Sequence, residues 1–181
     1  MNGIVGNDAV LWDILITSVI GVPILLYIYR KNKTEGRNEN LSLTTCIRLF
    51  SLGAGLSAVF RLLIIAAGGL GYKEDVAGLF SGKVCLEILV LVIMAPVFEE
   101  LLFRGVIYER LKLRISVISA IVISALLFGL YHGNLSQGIY GFLMGIAFAW
   151  AMERYRTVTA PLLIHVGVNA AALLLERVFL L

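Results

Sequence analysis

The sequence predicts an all-α protein, a polytopic membrane helix bundle of about six transmembrane helices. Three observations lead there. Hydrophobic residues fill 60% of the 181 positions and charged residues only 15%, against about 45–50% and about 25% in soluble domains, and the mean hydropathy is +0.94. The apolar residues fall in long blocks, each near the roughly 20 residues needed to cross a bilayer. The basic residues gather at block ends, where they act as topology determinants.

The first apolar run covers residues 10–29, interrupted by Asp13 and Pro23. Its acidic flank (Asp8, Asp13), with the basic cluster after the run, is not that of a signal peptide. The hydrophilic stretch Arg30 to Asn40 reads as the one clear loop. A second run, 46–70, carries Arg61 and ends in glycines and charges from Gly68 to Asp75. The third, 84–103, contains Glu99-Glu100, and the basic stretch Arg104 to Arg114 separates it from a fourth at 115–132. A polar turn at 133–137 leads to a fifth run reaching Trp150. After the turn Glu153–Arg156, Pro161 suits an early helical position, and a sixth run closes the sequence. No internal repeat is visible. The chain reads as one integral domain, with a two-helix segment at 1–83 and a four-helix core at 84–181.

Basic residues set the expected orientation. Eleven follow runs one, three and five (Arg30, Lys31, Lys33, Arg37, Arg48, Arg104, Arg110, Lys112, Arg114, Arg154, Arg156), and three lie opposite (Lys73, Lys83, Arg177). The basic loops are therefore expected in the cytoplasm, both termini outside, and the membrane to be a bacterial plasma membrane. Aromatics fit the same register, with Trp12, Tyr72, Tyr131 and Tyr140 at outer ends and Tyr27, Tyr29, Tyr108, Trp150 and Tyr155 at inner ends. A net charge of +3 is too small to suggest nucleic acid. Cys46 and Cys85 sit in apolar surroundings and are expected to be buried, inert thiols. Gly138, Gly141 and Gly145 are spaced to let two helices approach closely.

Ionisable groups within a membrane cost at least about 2.5–3.5 kcal/mol each, so each needs a reason. Glu87, Glu99 and Glu100 lie on the third run, His132 closes the fourth, His165 and Asn169 lie in the sixth, and Arg61 in the second. His165 and Asn169, four apart, share a helix face, as do Phe128 and His132. Glu100 and Arg104 are spaced for an ion pair along the helix. Glu99 is turned about 100° from Glu100, so one carboxylate is expected to face a cavity while Arg104 holds the other. Arg61 is expected to counter Glu87 or Glu100, or to pair elsewhere. Glu87 is expected near the outer interface, without a catalytic role.

Such a set suits chemistry. A carboxylate in an apolar pocket is a competent general base near neutrality, a facing histidine can share its water, and a second histidine and an amide can stabilise an oxyanion. Two histidines and a carboxylate are also a usual ligand set for catalytic zinc, with Glu99, His132 and His165 as candidate ligands. The compact His-Glu-x-x-His spacing is absent. Zn2+ and no cofactor at all both stay open.

These residues resemble the CPBP intramembrane proteases, also called Abi proteins, which include the type II CAAX prenyl endopeptidases. Three motifs carry the likeness: Glu99-Glu100-Leu101-Leu102-Phe103-Arg104, Phe128-Gly129-Leu130-Tyr131-His132 and His165-Val166-Gly167-Val168-Asn169. The similarity covers residues 84–175. It implies endopeptidase action within the lipid bilayer, with Glu99 and His132 activating water, His165 and Asn169 stabilising the oxyanion, and Arg104 positioning Glu100. The family is often labelled metalloprotease, and a metal-free glutamate mechanism has also been argued for it; the glutamate reading is preferred. Prenyl-protein members carry more helices than this chain has room for. Its expected partner is therefore a membrane-associated peptide, such as a leader-bearing bacteriocin or a signalling peptide, rather than a farnesylated protein. The main alternative is a non-catalytic, bacteriocin-immunity-type binding protein of the same fold. A small transporter or proton relay is a third class, disfavoured by size and by the lack of an inverted repeat.

Overall fold

The computed structural model describes residues 4–31, 40–66 and 83–180. Over these residues the apolar runs fold into six helices: α1 (Ile4–Lys31), α2 (Leu43–Ala66), α3 (84–112), α4 (Val117–Tyr131), α5 (Leu135–Tyr155) and α6 (Thr159–Leu180). Four of them hold stretches of 20–23 residues apolar enough to cross a membrane, and α4 is apolar but shorter. Large apolar side chains such as Trp12, Ile16, Ile20, Leu62, Leu130 and Leu174 lie exposed on the outside. In water that surface would aggregate; in a bilayer it is the lipid-facing face. The protein is a helical integral membrane bundle.

Glycines decide which helices lie closest. The most extensive interface joins α2 to α6. A methyl at Gly53 would overlap the backbone of Ile164, and one at Gly167 the backbone of Phe50. The expected role of the α5 glycines is met against α4. A methyl at Gly145 would come within 2.9 Å of the Ala125 Cα, and one at Gly141 within 3.3 Å of the Gly129 Cα. Such backbone approach is how helices gain packing energy without a hydrophobic drive between them.

α3 runs past the expected end at residue 103 and is not uniform. Its turns widen to π geometry at Ile88–Met94 and again at Leu101–Tyr108. Pro96 accounts for the first. Without an N–H, it leaves the carbonyl five residues back, at Leu91, without its π-type donor. The Asn169 side chain supplies one instead, Nδ2 to the Leu91 oxygen at 2.8 Å. In the second wide segment, the Ser124 hydroxyl donates to the Phe103 carbonyl at 3.1 Å.

Helix lengths then set depth. Glu99 lies 13 residues before the end of α3, about 20 Å of rise, and His132 lies 16 residues after the cap of α4 at Ser116, about 24 Å. Both ends lie at one membrane face, so the two side chains reach similar depths. α6 starts from a turn with Thr157 and Ala160 buried, which brings His165 to the site in less than two turns.

Several expectations need correction. Arg104 is no loop residue: it lies mid-helix with 0% exposure, because α3 continues to Lys112. Arg30, Lys31 and Arg48 are helical, not in the loop. Tyr29 and Tyr108 lie near the ends of α1 and α3 and are buried between helices, where each hydroxyl finds a partner: Tyr29 accepts from the Val158 amide and Tyr108 donates to Glu153. Both cysteines are free thiols, but Cys85 is exposed, not buried, one residue into α3. Residues 32–39, the break at Gly68–Asp75, and with it Tyr72 and Lys73, lie outside the described residues.

Gly53→Ala is expected to lower the unfolding free energy in detergent by about 1–3 kcal/mol through overpacking. Gly55→Ala, whose methyl would meet nothing within 4 Å, is expected to be neutral or mildly stabilising. Thermal unfolding of the two variants side by side tests this.

Candidate active site

Glu100 and Arg104 follow the register expected from their spacing. Arg104 Nη1 donates to Glu100 Oε1 at 3.0 Å, and its Nη2 reaches across to the Gly145 carbonyl of α5 at 3.2 Å. The guanidinium carbon lies 4.4 Å from the Phe128 ring centroid and 5.1 Å from that of Phe148. A charge that apolar surroundings would reject is therefore met by a carboxylate, a carbonyl and aromatic faces. Gly145 is small enough to let the guanidinium in.

The same Glu100 oxygen accepts from His165 Nδ1 at 2.7 Å. A carboxylate accepts, so Nδ1 carries the proton and Nε2 points the other way. It faces Glu99, with Nε2 and Oε2 3.6 Å apart. Phe148 stacks on the imidazole at 4.6 Å, and Phe128 meets it edge-on at 5.8 Å. His165 is thus held on both faces and at one nitrogen.

Glu99 has no hydrogen bond of normal length among the described residues. Its carboxylate lines a cavity of about 230 Å³, together with His132, Gln137, His165 and Asn169. His132 caps α4, and its Nδ1 lies 2.9 Å from the Phe128 carbonyl. A carbonyl can only accept, so Nδ1 is the protonated nitrogen, and a neutral His132 offers the Nε2 lone pair. Asn169 spends one amide hydrogen on Leu91, which anchors α6 to α3, and lines the cavity with the rest of its side chain. The six residues singled out from the sequence therefore meet at one place, four in the cavity wall and two behind it.

Residues 81–171 match the Rce1-like family model, described as Type II CAAX prenyl endopeptidase Rce1-like. That span is half of the chain and holds all six residues. The chain belongs to this family. It is 29% identical to "Putative membrane peptidase YdiL" of Bacillus subtilis (strain 168) over 168 residues, 87% of this chain and 67% of that protein. It is 30% identical to "UPF0177 protein YbdI" of Lactococcus lactis subsp. lactis (strain IL1403) over 87 residues, 48% of this chain and 46% of that protein. No solved structure matches it.

Glu99, His132 and His165, the candidate zinc ligands, all line the cavity. Among the described residues, no three His, Cys, Asp or Glu side chains converge as a ligand set. His165 and His132 each commit Nδ1 to an oxygen acceptor, the arrangement that leaves Nε2 of a histidine for a ligand.

Arg61 and Glu87 do not join the site. Arg61 pairs with Glu176 at 2.7 Å, and Glu87 accepts from Arg177. Arg61 therefore pairs elsewhere, and Glu87, in the first turn of α3, is buried against Arg177 in the last turn of α6. Sequence reasoning missed Phe148, the Gly145 carbonyl and Gln137. Only Gln137 left a signal, as a polar residue on the Gly141 face of α5.

Removing the guanidinium strands a buried carboxylate. Arg104→Met is expected to cost about 3–5 kcal/mol of unfolding free energy, with part recovered by adding Glu100→Gln. Chemical unfolding of the single and double variants reads this out.

Proposed function

We propose that this chain is an intramembrane endopeptidase that hydrolyses peptide bonds of membrane-associated peptides or proteins, using a water activated by Glu99 and His132. The observation that carries this reading is the cavity itself. A carboxylate without a close protein partner faces a doubly held imidazole across 3.6 Å, within walls that also carry His132 and Asn169. A gap just beyond direct hydrogen bonding suits a shared water.

In this reading the Glu99 carboxylate takes a proton from water, with the His132 Nε2 lone pair as second acceptor, and the water oxygen attacks the substrate carbonyl carbon. The carbonyl π electrons move to oxygen. A proton on His165 Nε2 as well as Nδ1 balances the two carboxylates and Arg104 to zero net charge, and makes His165 the oxyanion donor, with the remaining Asn169 hydrogen beside it. When the tetrahedral carbon collapses, the C–N bond breaks and the Glu99 proton passes to the departing amine. Glu100 and Arg104 act as positioning residues. Membership in a peptidase family and the name of the Bacillus relative support the reaction class. In this reading the basic residues at one set of helix ends mark the cytoplasmic side.

Cleavage of a panel of membrane-inserted peptides by the purified protein tests the proposal. Glu99→Gln is expected to cut kcat at least about 100-fold, and His132→Ala about 100- to 10,000-fold, with thermal unfolding unchanged. Activity surviving a chelator supports the glutamate-activated water, whereas loss restored by zinc would overturn that part. Tight binding of a peptide that is never cut would overturn the enzyme reading and leave a binding protein of the immunity type.

A further inference from the structure

Gln137 is a polar group in the cavity wall to which the reaction gives no task. Its backbone amide is fixed, donating to the Asn134 side chain at 2.8 Å as the N-cap bond of α5, and the turn before it is made by Gly133 at a φ of 73°. Its carboxamide has no hydrogen-bond partner among the described residues and lines the cavity. The wall continues along α5 through Gly141 and Met144 to Phe148, the ring stacked on His165. These spacings of four, three and four keep one helix face. From Gln137 to Phe148 is eleven residues, a rise of about 16 Å. His132, which flanks the reacting water, stands against Gly141 one turn from Gln137, and His165 against Phe148. An extended peptide therefore runs from Gln137 to the reacting centre in about two to five residues at roughly 3.3 Å each.

Most of the remaining lining is apolar, including Ile14, Leu91 and Ala95. A peptide main chain drawn into such a slot loses water from its N–H and C=O groups and must find replacements. A carboxamide offers a donor and an acceptor together, the complement of one main-chain amide, whatever the side chain. We propose that Gln137 is a substrate-binding residue of this cavity, its carboxamide pairing with the main chain of an extended peptide two to five residues from the scissile bond. The assignment rests on the endopeptidase reading and adds to it a register: a cut at a fixed distance from an anchored backbone amide, indifferent to the side chain there.

The test uses the full chain in lipid nanodiscs, with a cleavable peptide from the panel and a series of that peptide carrying single backbone N-methyl groups. Gln137→Leu keeps the side-chain volume and leaves the N-cap bond intact. It is expected to raise KM about ten-fold with kcat retained, since it removes binding common to ground and transition states. In wild type, one N-methyl position two to five residues from the cut should raise KM to a similar extent, and in Gln137→Leu that position should become silent. Unchanged KM in Gln137→Leu, or equal sensitivity of both proteins across the N-methyl series, would overturn the assignment while leaving the endopeptidase reading intact. A fall in kcat without a rise in KM would also overturn it. The N-methyl scan on wild type alone decides the matter if the variant is unstable. If wild type neither cuts nor binds any peptide, both readings fall together.

Discussion

An ion pair between Glu100 and Arg104, taken out of contact with both lipid and water, ties four helices of this bundle together. The carboxylate holds His165 of α6 while the guanidinium holds the Gly145 carbonyl of α5 and lies against Phe128 of α4. In hydrocarbon neither charge is tolerable alone, and each is stabilised only by partners from other helices. The pair therefore exists only when α3, α4, α5 and α6 are mutually in place. That makes it a geometric reference as much as a source of stability, and His165 takes its orientation from it.

The shape of α3 follows from a second constraint. A helix with Pro96 in its middle must widen or break, and this one widens. The carbonyl released at Leu91 is claimed by Asn169, so a backbone defect in one helix becomes the anchor for a polar side chain of another. Further on, the second wide segment keeps Glu100, Arg104 and Tyr108 on one buried face at four-residue spacing. Wide turns of this kind occur at functional sites because they aim side chains where a regular helix would not.

Hydrogen-bond polarity then divides the labour between the histidines. Both present Nδ1–H to oxygen acceptors, one a carboxylate and one a backbone carbonyl. The acceptor behind His165 is charged and the one behind His132 is neutral. The different tasks of the two histidines in the proposed reaction follow from that difference.

The number of helices, their membrane setting and the identity of the six clustered residues were all legible in the sequence, because apolar run length and the rarity of charge in hydrocarbon are local properties. Partnerships across helices were not. Arg61 had candidate partners at Glu87 and Glu100 and took Glu176; Glu87 took Arg177, which lies next to it. Arg104 counted as a loop residue because its basic neighbours run on to Arg114, whereas α3 carries it inward. The cavity, too, needed the three-dimensional arrangement, since Glu99, Gln137 and Asn169 come from three helices whose approach is governed by glycine contacts, a proline and the lengths of neighbouring turns. Periodicity along one helix says which residues share a face; only the packing of helices against one another says what that face meets.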